Sequence, residues 1–223
     1  MNGAGDTLRC VIIGGGGHAA VVIDAMLVSG AATPLAIVDA DPGQHGRDVL
    51  GIPIVGGDGE LDRLAGDGAN AFVVGLGTIG APAPRQALFE LGLAKNLQPV
   101  SVIHPRAAVA PSVAIGAGSV VFAQAAVNPL ATVGRNAIVN TGAIVEHHCR
   151  LGDGVHVATG AAMGGDVSIG DGAHVGAGAV IRQGVSVGAG AVIGAGAVVV
   201  ADVAAGATVV GNPARPQQPE ARS

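Results

Sequence analysis

Val157-Ala-Thr-Gly-Ala-Ala-Met163-Gly-Gly-Asp-Val-Ser-Ile169-Gly-Asp-Gly-Ala-His-Val175 sets one large aliphatic residue at every sixth place. Followed in both directions, the series runs Ile103, Val109, Ile115, Val121, Val127, Val133, Val139, Val145, Leu151, Val157, Met163, Ile169, Val175, Ile181, Val187, Ile193 and Val199. A second series lies four residues on, from Ala107 to Val203, and holds only small residues, Ser119 and Cys149 among them. Each series matches seventeen times without an insertion, which separates it from compositional bias, since bias carries no strict phase. The same phase excludes a membrane helix. The uncharged stretch from Gln183 to Ala201 approaches the roughly 20 residues that span a bilayer, yet its large residues recur at six and not at three to four.

A period of six predicts a parallel β-helix, each hexad forming one short strand and a turn. Three hexads make one coil, so the seventeen hexads give nearly six coils, at about 4.8 Å per coil a prism about 27 Å tall. The glycine that follows many of the aliphatics (Gly116, Gly134, Gly152, Gly170, Gly176, Gly188, Gly194) is expected to turn the corners. Composition agrees with a narrow interior. The 223 residues include 39 Gly and only three aromatics (Phe72, Phe89, Phe122), although 49% are hydrophobic.

Charge and cysteine content exclude other classes. A net charge of −5 with 11 scattered Lys and Arg argues against a nucleic-acid surface. Cys10 and Cys149 are too few for a disulfide framework, and no charged leader precedes an apolar run, so the chain is expected in the cytoplasm without a membrane span.

Before Ile103 the pattern changes. Strands are expected over Leu8–Ile13, Pro34–Val38, Ala71–Val74 and Pro99–Ile103, with helices over Ala19–Leu27 and Pro84–Leu93. This alternation predicts a small Rossmann-like α/β domain. The boundaries read as 1–102 for this domain, 103–215 for the β-helix, and 216–223 for a disordered tail. Gly14-Gly15-Gly16-Gly17-His18 joins the first strand to the first helix, and Gly14-x-Gly16-x-x-Ala19 is a variant of the dinucleotide fingerprint. Asp39 ends the second strand, placed to accept from a ribose or base. A unit of this size suits one nucleotide and no hydride chemistry. A tight turn without a ligand is the alternative.

Stacking arithmetic places the histidines of the repeat. Residues 18 apart lie on adjacent coils, so His147 lies under Gly165 and His156 under His174. His147 and His156 differ by nine, half a coil, and face different sides of the prism. They meet only across a subunit boundary, which predicts a symmetric oligomer, most simply a trimer. There His147 is a candidate general base, since imidazole titrates near pH 6.5, and the Gly165 amide a candidate oxyanion donor. Exposed turn residues are the other reading of His147 and His148. Cys149 falls on an inward small position and is read as packing.

Asn140-Thr-Gly-Ala-Ile-Val-Glu146-His147-His148-Cys149, Gly152 to His156 and Val210-Gly-Asn-Pro-Ala-Arg215 resemble the hexapeptide-repeat sugar O- and N-acyltransferases, of the sialic acid O-acetyltransferase and bacillosamine acetyltransferase type. The resemblance covers nearly the whole chain, including the opening glycine loop. It implies a left-handed β-helix, acetyl-CoA as co-substrate without a metal, a homotrimer, and an N-terminal domain holding a nucleotide-linked amino sugar for glycan biosynthesis. By position, His147 matches the catalytic base, with Glu146 and His148 beside it. His156, Gly165 and Ala195 match the acetyl-CoA side, and Gly14, Gly16, Gly17, His18, Asp39 and Asn140 the sugar-nucleotide side. In the family a carboxylate usually follows the base. Here that position is His148, which leaves open what orients His147, because Glu146 on a strand should point away. The function expected is N-acetylation of a nucleotide-activated amino sugar. Alternatives are sugar O-acetylation, an interface zinc site, and a non-catalytic nucleotide-sugar-binding scaffold.

Overall fold

A computed structural model describes residues 8–78 and 83–217. The chain divides into two compact units, one of residues 1–77 and 84–105, the other of residues 78–83 and 106–223.

The first unit is α/β. Its elements are β1 (Arg9–Ile13), α1 (Gly17–Ser29), β2 (Thr33–Val38), β3 (Asp48–Val49), β4 (Ile52–Gly56), α2 (Leu61–Gly66), β5 (Ala71–Val74), α3 (Ala83–Ala94) and β6 (Gln98–Pro99). The sheet order is β3-β4-β2-β1-β5-β6, parallel throughout except for the short β3–β4 pair. Cys10 to Ile13 are fully buried, as an unbroken apolar run in the middle of a parallel sheet requires. Phe72 and Phe89 meet at 5.5 Å between ring centroids and anchor α3 on β5. Gly30 ends α1 in a left-handed conformation, its N–H donating to the Met26 carbonyl. The single strand expected over Pro99–Ile103 is two separate pieces, Gln98–Pro99 and Val102–Ile103, because Val100 already closes the sheet by donating to the Phe72 carbonyl.

The second unit is a three-faced parallel β-helix. Its first face stacks Val120–Val121, Ile138–Val139, His156–Val157, His174–Val175, Val192–Ile193 and Thr208–Val210. The second stacks Ala108–Val109, Ala126–Val127, Ile144–Val145, Ala162–Met163, Val180–Ile181 and Val198–Val199. The third stacks Ala114–Ile115, Thr132–Val133, Arg150–Leu151, Ser168–Ile169 and Ser186–Val187. Up to the last coil, partners differ by 18 along each face, as in Val139 on Val157 and Val157 on Val175. The aliphatic series from Val121 onward and its small companions form one continuous core. Ile103, the first of the series, stands outside that core and is 37% exposed.

Two details differ from the sequence reading. The glycines after the aliphatics do not supply the left-handed corners. That conformation recurs three residues after each aliphatic from Gly118 to Gly196, in steps of six, and is taken there by Gln124, Leu130, Asn136, His148 and Asp166 as well as by glycines. The glycines after the aliphatics are needed for contact. A Cβ on Gly134 would lie 2.5 Å from the Gly152 carbonyl of the next coil and 2.6 Å from the Asp153 nitrogen. The last coil is also two residues short. Val203 bridges to Val187 and Val209 pairs with Ile193, each 16 residues on, so Val203 joins the large column and not the small one. Beyond it Arg215–Pro216 folds back antiparallel on Thr208–Val210. Pro216, expected in the tail, therefore belongs to a strand, and 218–223 lie outside the described residues.

Candidate active site

In the first unit the glycine loop is built as a backbone cradle. Gly14 has φ +102°, which favours glycine, and its N–H donates to the Val38 carbonyl. A Cβ on Gly75 would collide with the Gly14 carbonyl, so the loops after β1 and β5 touch backbone to backbone. Gly16 caps α1 without a side chain, Gly17 opens the helix, and His18 lies in its first turn beside Gly77. Asp39 accepts from the Gly15 N–H at 2.6 Å and from the Asp41 N–H at 2.8 Å. One oxygen thus ties the loop after β2 to the glycine loop and the other turns its own loop, roles the sequence reading did not assign. A cavity of about 350 Å³ opens at this end of the sheet, lined by Gly14, Asp39, Asp58, Leu76, Pro84 and Leu88 among others. Beside it the Arg85 guanidinium is 1% exposed and donates from Nη1 to the Val74 and Leu76 carbonyls at 3.0 and 2.6 Å. Burial pushes its pKa down to about 9, so it stays charged at neutral pH.

In the second unit the repeat carries two clusters on two different edges. The first lies between the second and third faces, where His147 and His148 form the turn joining Ile144–Val145 to Arg150–Leu151. The His147 carbonyl accepts from the Asp166 N–H at 2.9 Å, and the imidazole occupies the space where Gly165 would carry a Cβ. Gly165 is itself buried, and among the described residues its N–H has no backbone acceptor. Glu146 does not reach the imidazole. Its Oε2 accepts from the His147 backbone N–H at 3.1 Å. The imidazole's own partner is His148, Nδ1 to Nδ1 at 3.0 Å with the rings edge to face. Cys149 is fully buried, donates to the Gly164 carbonyl at 3.3 Å, and has its thiol pKa raised by burial, which suits packing and not attack.

The second cluster starts on the first face. His156 is 7% exposed, and its Nδ1 lies 2.8 Å from the Thr78 carbonyl and 3.1 Å from the Thr78 hydroxyl. A carbonyl only accepts, so Nδ1 carries the proton. In the neutral ring Nε2 is then an acceptor, facing the Asn140 amide Nδ2 at 3.4 Å. That amide is oriented by its oxygen, which accepts from the Thr141 N–H. His174 stacks edge to face on His156 at 4.9 Å, its Nδ1 is buried without a partner, and burial lowers its pKa. Ala195 lies at the same corner as Asn140 but three coils on and one column over, stacked in line with Thr141. The structure therefore groups His147, His148, Glu146 and Gly165 on one edge, and His156, Asn140 and Ala195 at another.

Three residues here escaped the sequence reading. Thr78 meets His156 across 78 positions, and no local signal marks it. Arg85 is the single basic residue of α3, and nothing in its sequence neighbourhood marks it as buried. Asp58 follows the carboxyl end of parallel strand β4, the place where open α/β sheets bind ligands, and that topology was the available signal. Among the described residues there is no group of three or more His, Cys, Asp or Glu able to hold a metal ion, and no helix long and apolar enough to cross a membrane.

Comparison with known proteins gives this geometry a family. Residues 9–91 match the PglD N-terminal domain model, and residues 166–201 match the bacterial transferase hexapeptide (six repeats) model. The chain is similar over 94% of its length to the structure of PerB, perosamine N-acetyltransferase from Caulobacter crescentus, in complex with CoA and GDP-perosamine. The identity is 42%, 97% of that chain is covered, and the TM-score is 0.88. The acetyltransferase domain of PglB from Neisseria gonorrhoeae FA1090, in complex with acetyl coenzyme A, shares 37% identity over 95% of this chain and 100% of that one, with a TM-score of 0.85. WeeI from Acinetobacter baumannii AYE shares 28% identity over 95% and 100% of the two chains, with a TM-score of 0.80. The comparison with curated proteins returned no match. The fold is that of the left-handed hexapeptide-repeat transferases. The chain belongs to the sugar acyltransferase family that joins a PglD-type N-terminal domain to a hexapeptide β-helix.

Proposed function

We propose that the chain transfers an acetyl group from acetyl-CoA to the amino group of a nucleotide-linked amino sugar. The observation that carries this reading is the His147 imidazole lying over Gly165, a base beside a backbone donor with no side chain between them. The amine nitrogen adds to the thioester carbonyl, and His147 takes its proton. The Gly165 N–H stabilises the oxyanion until the carbon–sulfur bond breaks and CoA leaves as the thiol. His156, with Asn140 and Ala195, serves the acetyl-CoA and sugar side, and the glycine loop with His18 and Asp39 serves the nucleotide.

The active assembly in this reading is a homotrimer. Two observations support it. The two clusters of one chain sit on different edges, and the outward positions of the second face are all apolar: Ala108, Ala126, Ile144, Ala162, Val180 and Val198. Ile144 and Val180 are 40% and 46% exposed, which a second copy of the chain would cover. The acetyl-CoA donor and the near absence of cysteine support residence in the cytoplasm and a role in glycan biosynthesis.

Asp58 supports guanine as the nucleotide base. Its carboxylate lines the cavity at the end of the sheet and has no hydrogen bond or ion pair among the described residues. Guanine offers two adjacent donors, N1–H and the N2 amino group, to both oxygens of a carboxylate. Uracil and thymine set carbonyls on either side of one N–H and repel it. Asp58→Ala is expected to lower kcat/KM for a GDP-linked acceptor by about 10-fold or more, the scale of one bidentate base contact, while barely changing the small UDP-linked rate.

The reading as a whole is tested by acetyl-CoA turnover on UDP-, GDP- and dTDP-linked amino sugars. The expected product resists mild alkaline hydroxylamine, as an amide does. A labile product would mark O-acetylation, and no turnover with any acceptor would overturn the enzymatic reading.

A further inference from the structure

We infer that His148 is the positioning residue for His147, holding it through a ring-to-ring hydrogen bond. This rests on the proposed role of His147 as base. The two Nδ1 atoms are 3.0 Å apart, and a contact this short between two ring nitrogens requires one donor and one acceptor. If His147 donates, its Nε2 keeps a lone pair and the ring is a competent base. If His148 donates, the His147 Nε2 carries the proton and the base is blocked. A carboxylate only accepts and would permit the first arrangement alone, whereas His148 can donate or accept and makes the base a two-state device.

The backbone holds the pair in place. His148 takes the left-handed corner position, φ +61°, and its N–H donates to the Pro129 carbonyl. The His147 carbonyl is fixed to the Asp166 N–H on the coil above. Three charged side chains surround the pair. Glu146 is held on the His147 backbone N–H, while Arg150 reaches from the His148 carbonyl at 3.5 Å to Asp166 at 3.3 Å. Among the described residues no carboxylate contacts either ring, and only the uncharged pair contains the competent base. Adding one proton, to either ring, blocks the His147 Nε2.

The test compares His148→Glu and His148→Phe with the wild type. Against the wild type, His148→Glu fixes the competent tautomer and stabilises the imidazolium. Its kcat/KM at high pH should equal or exceed wild type, and the acid limb of its pH profile should move to higher pH, since a nearby carboxylate raises an imidazole's pKa. His148→Phe removes the acceptor. Its plateau should fall by about 10–100-fold, the range seen when the second partner of a metal-bound imidazole is lost, with the monomer fold and acetyl-CoA binding retained. Imidazole 15N shifts of the uninhibited protein provide a readout that needs no turnover. The His147 ring is expected to exchange between its Nδ1–H and Nε2–H forms in the wild type, to hold the Nδ1–H form alone in His148→Glu, and to lose the hydrogen-bonded Nδ1–H signal in His148→Phe. A His148→Phe variant with wild-type plateau, pH profile and 15N shifts would overturn the proposal. Loss of activity in His147→Ala together with an unresponsive His148 would refute the pairing while leaving His147 as the base.

Discussion

His147→Ala is expected to lower kcat/KM by about 10²–10⁴-fold, the usual worth of a positioned general base, without changing the fold. The imidazole is exposed in the single chain and contributes nothing to the core, so its removal leaves the coil stack intact. What is lost is proton removal from the amine as the carbon–nitrogen bond forms. Binding of acetyl-CoA, followed by thermal shift, should persist, because Gly165 and the His156 cluster are untouched. The measurement is steady-state release of CoA thiol on the best acceptor of the nucleotide-sugar panel. Full turnover in the variant would remove His147 from the mechanism. A fall in acetyl-CoA binding that matches the fall in turnover would make it a binding residue.

Gly134→Ala is expected to carry a large cost in stability. The added methyl would lie 2.5 Å from the Gly152 carbonyl carbon and 2.6 Å from the Asp153 nitrogen, against backbone and not against a flexible side chain. Overpacked cores typically lose about 1–3 kcal/mol. Here relief requires the coils to separate, and that breaks the Gly134 N–H bond to Leu151 and the Arg135 N–H bond to Asp153. A loss of about 3 kcal/mol or more is expected, read as a lower urea midpoint. Gly142→Ala is the control. Nothing lies within 4 Å of its Cβ position, and its φ of +68° imposes only the local penalty of a left-handed alanine. Equal losses in the two variants would show that φ, and not coil-to-coil contact, makes these glycines necessary.

The fold was legible because its physics is periodic. An interior that admits one aliphatic and one small residue per hexad prints itself on the sequence at a fixed interval, and the column from Val121 to Ile193 follows that print. Where the interval changes, legibility ends. Two residues missing from the last coil move Val203 to another column, and nothing local announces the deletion. The corner glycines were located correctly but given the wrong cause, since a Cβ collision with the next coil is a tertiary fact and φ is a local one. In the α/β unit β1, β2, β5 and both long helices were legible from buried runs, while β3 and α2 were missed as too short and β4 because only Ile54 and Gly56 of its five residues are buried.

The site was legible to the extent that it depends on stacking. His147 under Gly165 and His156 under His174 follow from a count of 18. Hydrogen-bond partners do not. Asp39 was placed at the end of its strand, but its bond to the Gly15 amide depends on how two loops approach. Thr78 reaches His156 from a distant part of the chain, and His148 meets His147 only because its backbone turns through the left-handed region.

The shortened last coil and the strand that reverses over it bear on how this protein behaves in quantity. Every coil of such a prism is a template for another, offering a row of N–H and C=O groups in parallel register, and an unguarded end invites copies to join end to end. At the carboxyl end of this chain the spacing drops from 18 to 16 and the final pair runs antiparallel. A newcomer in register with the stack would find the wrong interval and the wrong direction. The molecule thereby carries its own terminus, and side-by-side assembly on the apolar face remains open while filament growth from this end is blocked.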